Sequence, residues 1–303
     1  MKYFLSFIFA FLISSNVFAQ EKTLDRPPVI SSSINPIYQI AKFISADEKN
    51  NSLIIDPKYF EYRYRVKRKD IKTISESDIF FYVDNNLEKN IAEKFDEIQG
   101  STKMIRLAKD KNLNVATYEI RGQATMSDNN IWLDPNNAIE IAKIITQNLS
   151  ELYPKFADKY NKNLQVFIED VKKMDEENKE ILLPIKKAKY ICAKNRLAYF
   201  ENNYQILGTA SLIYSYDYDS IAVDYKMSAG DIEKMQNLAR SGDVDCALWN
   251  VQENNSLIKG IALANRIKLV KIDVLGKNNI TKGENGYVIL MKDLAHQIAS
   301  CQK

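Results

Sequence analysis

Histidine is almost missing from this chain: His296 is the single one among 303 residues. An imidazole base or a catalytic triad needs a histidine set among other polar groups. In DLAHQIAS, on a terminal amphipathic segment, it reads as structural or surface-facing. G-x-S-x-G, G-x-x-x-x-G-K, G-x-G-x-x-G and H-E-x-x-H are also absent, which removes the common hydrolase, phosphate-binding, dinucleotide and metalloprotease signatures. The expectation is that this is not an enzyme. The net charge of +3 is too small to make nucleic acid or an anionic membrane the main partner. Cysteines number three and no two form a C-x-x-C pair, which excludes the usual redox and zinc-ribbon spacings.

What is present begins with MKYFLSFIFAFLISSNVFAQ: one lysine, an apolar run over 3–13, polar residues at 14–16, then Val17 and Ala19 before Gln20. This predicts a secretory signal over 1–19, cleaved near Ala19. The run is too short to span a bilayer comfortably, and no cysteine follows it to carry a lipid. The remaining chain of about 284 residues suffices for two domains.

Export favours oxidised thiols. Of Cys192, Cys246 and Cys301, at least one stays unpaired or pairs between chains. A bridge from Cys246, in the short apolar run DVDCALWN, to Cys301 would fasten the C-terminus to a sheet and contribute about 4 kcal/mol by chain entropy. The basic stripe EYRYRVKRKD at 61–70 reads as a solvated helix entrance, with phosphate contact as the alternative.

From residue 28 onward, β-rich runs alternate with amphipathic segments: PVISSSI then NPIYQIAKFI, NSLIIDP then a helix opening near Lys69, DIFFYVD then NLEKNIAEKF, then KMIRLA. Such alternation predicts a parallel sheet flanked by helices, with ligands beyond the carboxyl ends of its strands, after Ile34, Pro57 and Asn85. Over 154–183 there is no glycine, and Phe156, Tyr160, Leu164, Phe167, Val171 and Met174 recur at helical spacing between Pro154 and Pro184. This predicts one long helix of ~45 Å. Strand-helix alternation then resumes through AKYICAK, a helix at 198–203, YQILGTASLI, a helix capped by Ser228, DCALWN, IKGIALANRI, KLVKIDVLG and a last helix from Lys292. The expected fold is therefore α/β: two lobes, each with a mainly parallel sheet flanked by helices, joined by a rigid spine helix. The boundaries are an N-terminal lobe at 20–150, the spine at 151–184 and a C-terminal lobe at 185–303.

The segment DNNIWLDP at 128–135 places Trp132 and Asp134 beside Asn130. It resembles the D-P-H-x-W-L-D-P segment of the periplasmic zinc- and manganese-binding proteins of ABC transporters, the cluster A-I solute-binding proteins. VISSSINPI, KDIKTISESDIFFYV, the long helix and KIDVLG resemble further segments in the same order, over essentially all of 28–303. Tryptophan packing and an Asp134 cap preserve the scaffold of the motif.

The resemblance implies a periplasmic, monomeric binding component working with an ABC permease and ATPase, with zinc or manganese as ligand. It implies no nucleic-acid partner and no membrane insertion after signal cleavage. It also implies a Cys246–Cys301 disulfide. The four metal positions of the family fall on Tyr62, Asn130, Lys194 and Asp273, of which Asp273 alone is an ordinary metal ligand. An amide oxygen is a poor zinc donor, a phenol must lose its proton, and an ammonium repels a dication. The histidine-rich loop of many relatives is missing, since 108–127 holds no histidine.

Three readings follow. The metal is held weakly by Asp273 with donors such as Glu61 or Cys192. Alternatively, the cleft takes a non-metal ligand, with Lys194 meeting an anionic group among nearby tyrosines. Or the protein is a structural or adhesin-like exported protein in which a Lys194–Asp273 pair replaces the metal.

Overall fold

The computed structural model describes residues 26–120, 124–192, 196–206, 229–253, 256–277 and 284–301. The expected signal segment, Lys194, the Ser228 cap and most of YQILGTASLI lie outside them.

The N-terminal sheet has strands β1 (Ile30–Ser32), β2 (Asn51–Leu53), β3 (Ile79–Tyr82) and β4 (Lys103–Arg106) in the order β2-β1-β3-β4. Every pairing is parallel. β1 and β3 are central and buried throughout, which is why they read as continuous apolar or small-residue runs rather than alternating ones. Helix α1 (Asn35–Ser45) starts where Pro36 fits the first turn and ends at Ala46 in a left-handed conformation. Helices α2 (Arg68–Ser75) and α3 (Lys89–Ala92) follow β2 and β3. The α2 entrance agrees with the reading of the basic stripe: Arg65, Lys67, Arg68 and Lys69 are exposed, while the Tyr64 hydroxyl donates to Asp70 at 2.8 Å.

The stretch before DNNIWLDP is an antiparallel pair of β5 (Thr117–Ile120) and β6 (Ala124–Ser127). Helix α4 (Pro135–Leu152) is capped by Asp134, which accepts from the Asn136 N–H at 2.8 Å.

Helix α5 (Ala157–Leu182) is the expected spine, at 26 residues, or about 39 Å. It begins three residues later than the sequence suggests, because Pro154–Phe156 forms a separate 3-10 turn after the non-helical Tyr153. Pro184 lies in the 3-10 turn that closes it. Tyr160, Leu164, Phe167, Val171, Met174, Asn178 and Leu182 form its buried face, a stripe at spacings of three and four that packs on α1, α4 and the last helix.

The second sheet, β7 (Tyr190–Cys192), β8 (Cys246–Asn250) and β9 (Lys268–Ile272), is parallel in the order β7-β8-β9. Around it lie α6 (Ala198–Tyr204), α7 (Ala229–Ser241), α8 (Ser256–Ala264) and α9 (Gly286–Ala299). The last helix begins six residues before Lys292, because the Asn285 side chain accepts from the Val288 N–H and starts it there. Cys246 and Cys301 form a disulfide, and Cys192 is a buried thiol. His296 is exposed on α9.

The two sheets meet through buried side-chain to backbone hydrogen bonds. Asn35 Nδ2 donates to the carbonyls of Leu275 at 2.8 Å and Gly276 at 3.1 Å, and Trp132 Nε1 donates to Val274 at 3.0 Å. Gly276 has φ +68°, and a Cβ there would lie 3.2 Å from Asn35 Nδ2 and 2.9 Å from Leu290. The turn needs glycine for both reasons.

Candidate site between the sheets

Five polar side chains stand just beyond the carboxyl ends of strands, where open α/β sheets place ligands. Glu61 follows β2, Asn130 follows β6, Arg196 follows β7, Glu253 follows β8 and Asp273 follows β9. Four of them converge. The Arg196 Nη2 group donates to Glu61 Oε1 in a buried ion pair and to Asn130 Oδ1 at 3.2 Å. Arg196 Nη1 lies 4.0 Å from Glu253 Oε1. The guanidinium also sits 5.6 Å from the Phe60 ring centre and 6.0 Å from that of Tyr62, within cation–π range.

The electrostatics follow from burial. Desolvation pushes the Glu61 carboxyl up, against the pull of Arg196. Burial also works against the charge of Arg196, but Glu61 and Glu253 outweigh it and hold the guanidinium above its ordinary value. Asp128 is likewise pushed up by burial, while the backbone N–H and amide of Asn130 and the nearby Arg196 pull it down. Both Asn130 groups donate to Asp128 Oδ1 at 2.9 Å, so Asn130 links the carboxylate of its own loop to the arginine of the other sheet.

The sequence-derived positions are placed as follows. Asn130 is in the cluster. Tyr62 is half-buried beside Arg196, and the residue that pairs is its neighbour Glu61. Asp273 is buried, but its carboxylate is turned to a different task. It accepts from Gln252 Nε2 at 2.6 Å and from the backbone N–H groups of Gly276 at 2.9 Å and Lys277 at 2.6 Å, which builds the turn that carries Val274 and Leu275 to the other sheet. Lys194 lies outside the described residues. Arg196, two positions on, was missed. The signal was a second cation, four residues past β7, in AKNR.

Zinc is held by four donors drawn from imidazole, thiolate and carboxylate. The described cluster offers an amide, the Glu61 carboxylate already paired with a guanidinium, the Glu253 carboxylate 4.0 Å from it, and that guanidinium. Among the described residues no group of three or more His, Cys, Asp and Glu side chains is placed to hold a metal. These residues do not fit zinc.

Residues 30–301 match the family model for the zinc-uptake complex component A, periplasmic, ZnuA. The chain belongs to the ZnuA family. It is 20% identical to the high-affinity zinc uptake system protein ZnuA of Brucella abortus, over 89% of this chain and 90% of that one. It is also 20% identical to the zinc-binding protein AdcA of Streptococcus pyogenes, over 88% of this chain. It spans about half, 54%, of the length of AdcA. A crystal structure of ZnuA superposes with TM-score 0.73 at 21% identity, covering 89% of this chain and 97% of the other. The laminin-binding protein Lmb of Streptococcus agalactiae, described as a bifunctional adhesin and metal transporter, superposes at 0.73 with 18% identity, covering 91% and 100%. The ZnuA fold, two parallel sheets flanked by helices with a long connecting helix, is thus shared. ZnuA-family proteins are solute-binding components of transporters rather than an enzyme class.

Proposed function

We propose that this chain is the exported binding component of an ABC-type uptake system of the zinc class, with an interlobe site that has lost its capacity for tight metal capture. Family membership over 30–301 supports the transport role. The Arg196–Glu61 pair, standing where the two sheets face each other, carries the statement about the site. On this reading the chain works as a monomer outside the cytoplasmic membrane, after removal of residues 1–19, and docks on a permease coupled to an ATPase. No helix among the described residues is long and apolar enough to cross a membrane.

Tyr62, Asn130 and Asp273 then line the cleft as walls, with Lys194 assigned to it from the sequence alone, and Asp273 shapes a turn rather than holding metal. The lobes correspond to 20–150 and 185–303, with the spine at 151–184. The alternative is a repurposed or adhesin-like protein on the same scaffold. It is favoured by the same observation, because a guanidinium among the cleft donors removes the metal function.

Calorimetric titration of the metal-stripped mature protein with zinc and manganese tests the degenerate site. The expected result is no tight one-to-one binding and no metal retained after purification without chelator. Tight stoichiometric zinc binding overturns it. Reconstitution with the permease and ATPase separates the two roles: stimulated ATP hydrolysis supports transport, and none supports the repurposed protein.

A further inference from the structure

Most of the basic stripe at 61–70 has no part in the site between the sheets, and it departs from what a helix entrance normally holds. The positive pole of a helix favours acids in its first turn. Helix α2 opens instead on Lys67, Arg68 and Lys69, all exposed. The one acid of that turn, Asp70, is buried and already accepts from the Tyr64 hydroxyl and the Lys67 backbone N–H, each at 2.8 Å. Arg65 adds a fourth exposed cation. None of these four side chains makes an ion pair among the described residues. Beside them Lys58 pairs with Asp56 at 2.6 Å. The Tyr59 ring, 40% exposed, lies between the two lysines, 5.0 Å from Lys58 Nζ and 5.4 Å from Lys67 Nζ. Like charges gathered where the helix dipole repels them cost stability, and no acid among the described residues offsets it.

We propose that this face, with Lys58, Arg65, Lys67, Arg68 and Lys69 around Tyr59, docks on a bilayer surface of anionic phospholipid. A folded partner would have to order long side chains that no ion pair holds in place. A fluid sheet of phosphates attracts them by charge without fixing their geometry. The exposed tyrosine suits the headgroup level, where an aromatic ring with a polar end settles. With a net charge of +3 the rest of the chain adds little attraction, so the contact is weak and orienting rather than the extended phosphate neutralisation of a nucleic-acid binder. The same segment carries Glu61 into the site between the sheets, so a chain lying on a bilayer by this face holds the edge of that site close to the membrane. Where this happens rests on the exported reading above; the lipid contact itself does not require the permease.

The test is co-sedimentation of the mature chain, at low ionic strength, with vesicles of equal parts phosphatidylglycerol and phosphatidylcholine, and with vesicles of phosphatidylcholine alone. The expected result is binding to the first, none to the second, and release as sodium chloride shortens the reach of exposed charges. Lys69→Gln is expected to weaken binding roughly fivefold, the effect of one charge near such a surface. Arg65→Gln/Lys67→Gln/Arg68→Gln/Lys69→Gln is expected to abolish it, with a melting temperature at or above that of the parent because cations leave the positive pole of α2. Lys67→Arg/Lys69→Arg is expected to bind like the parent.

No binding to the anionic vesicles overturns the proposal, as does equal binding to the neutral ones or undiminished binding by the folded fourfold variant. If that variant does not fold, Lys69→Gln and salt decide: parent-like binding by the single variant, or binding that salt does not weaken, overturns it. Competition identifies the anion. Inorganic phosphate, polyglutamate or a short DNA duplex that displaces the protein from the vesicles at a lower concentration of negative charge overturns membrane docking, and failure of all three to do so supports it. Sedimentation needs neither permease nor metal, so its failure leaves the transport reading standing, and failure of the reconstitution leaves this one standing.

Discussion

Tyr287, on the last helix, donates its hydroxyl proton to the backbone carbonyl of Trp132 at 2.8 Å, and both residues are fully buried. Trp132 in turn donates its indole N–H to Val274 at 3.0 Å. The tryptophan of DNNIWLDP is thus held by the C-terminal half at both its backbone and its side chain, and the Tyr287 phenol is pushed well above its ordinary value by burial. Tyr287→Phe keeps the ring and leaves the Trp132 carbonyl buried without that donor. The expected loss is about 1–3 kcal/mol, read by urea denaturation. A loss indistinguishable from zero would mean that the bond does not tie the halves together.

Gly286 faces Gln39 across the α1–α9 contact, and a Cβ at that position would run into the Gln39 side chain. Gln39 is itself buried and donates to Asn35 Oδ1 at 3.0 Å. Gly286→Ala should displace Gln39, disturb the Asn35 bonds to Leu275 and Gly276, and cost about 1–3 kcal/mol by overpacking. Pairing it with Gln39→Ala makes room for the methyl group, so the double variant should be less destabilised than the sum of the two single changes.

Two buried carboxyls set a pH dependence. Burial raises Glu88 to about 7, against the hydrogen bonds it accepts from Ser33, Val83 and Asp84. Burial raises Glu201 to about 7 as well, against the hydrogen bond from Tyr190. A folded-state pKa above the unfolded one means that the native state holds the proton longer. The resulting stabilisation is complete below about pH 4.5 and is lost as pH rises towards 7, at about 1.4 kcal/mol per pH unit for each proton retained. Denaturation midpoints measured between pH 4.5 and 8 should fall with rising pH from these two groups. Glu88→Gln should flatten the slope by close to one proton, and an unchanged slope would refute the assignment.

The disulfide closes a loop with a sequence separation of 55. Cys246→Ser/Cys301→Ser should cost about 4 kcal/mol on the chain-entropy scale, and reductant should lower the melting temperature of the parent but not that of the double variant.

Much of the scaffold is legible because local chemistry dictates it. Asp134 before Pro135 is a cap followed by a first-turn proline, and the seven buried positions of α5 are a direct periodic signal. The site is less legible. Asn130 was identifiable from its motif, but Glu61 stands one residue from the predicted Tyr62, and the cation that enters is Arg196 rather than a residue fixed by strand periodicity. Arg196 lies in a loop four residues past β7 and Glu61 opens a one-turn 3-10 helix eight residues past β2, where neither the period of two nor that of 3.6 fixes which side chain turns inward. The β5–β6 hairpin escaped for another reason. TYEI and ATMS alternate too briefly to stand out from the polar run around them. Asp273 was read from KIDVLG as a metal-ligand position, and its hydrogen bonds to the backbone of Gly276 and Lys277 could be seen only once the turn had folded back.

The covalent link from Cys246 to Cys301 also has a bearing on timing. It joins the first residue of β8 to Cys301, two residues past α9, and α9 carries the buried Tyr287, Leu290 and Met291. In a reducing compartment that helix is held by packing and hydrogen bonds such as Tyr287 to Trp132 without the covalent link, and the junction between the halves is correspondingly easier to pull apart. Oxidation locks the helix down. On the proposed reading, in which the chain works outside the cytoplasmic membrane, it is looser on the side where it is made and more rigid on the side where it works.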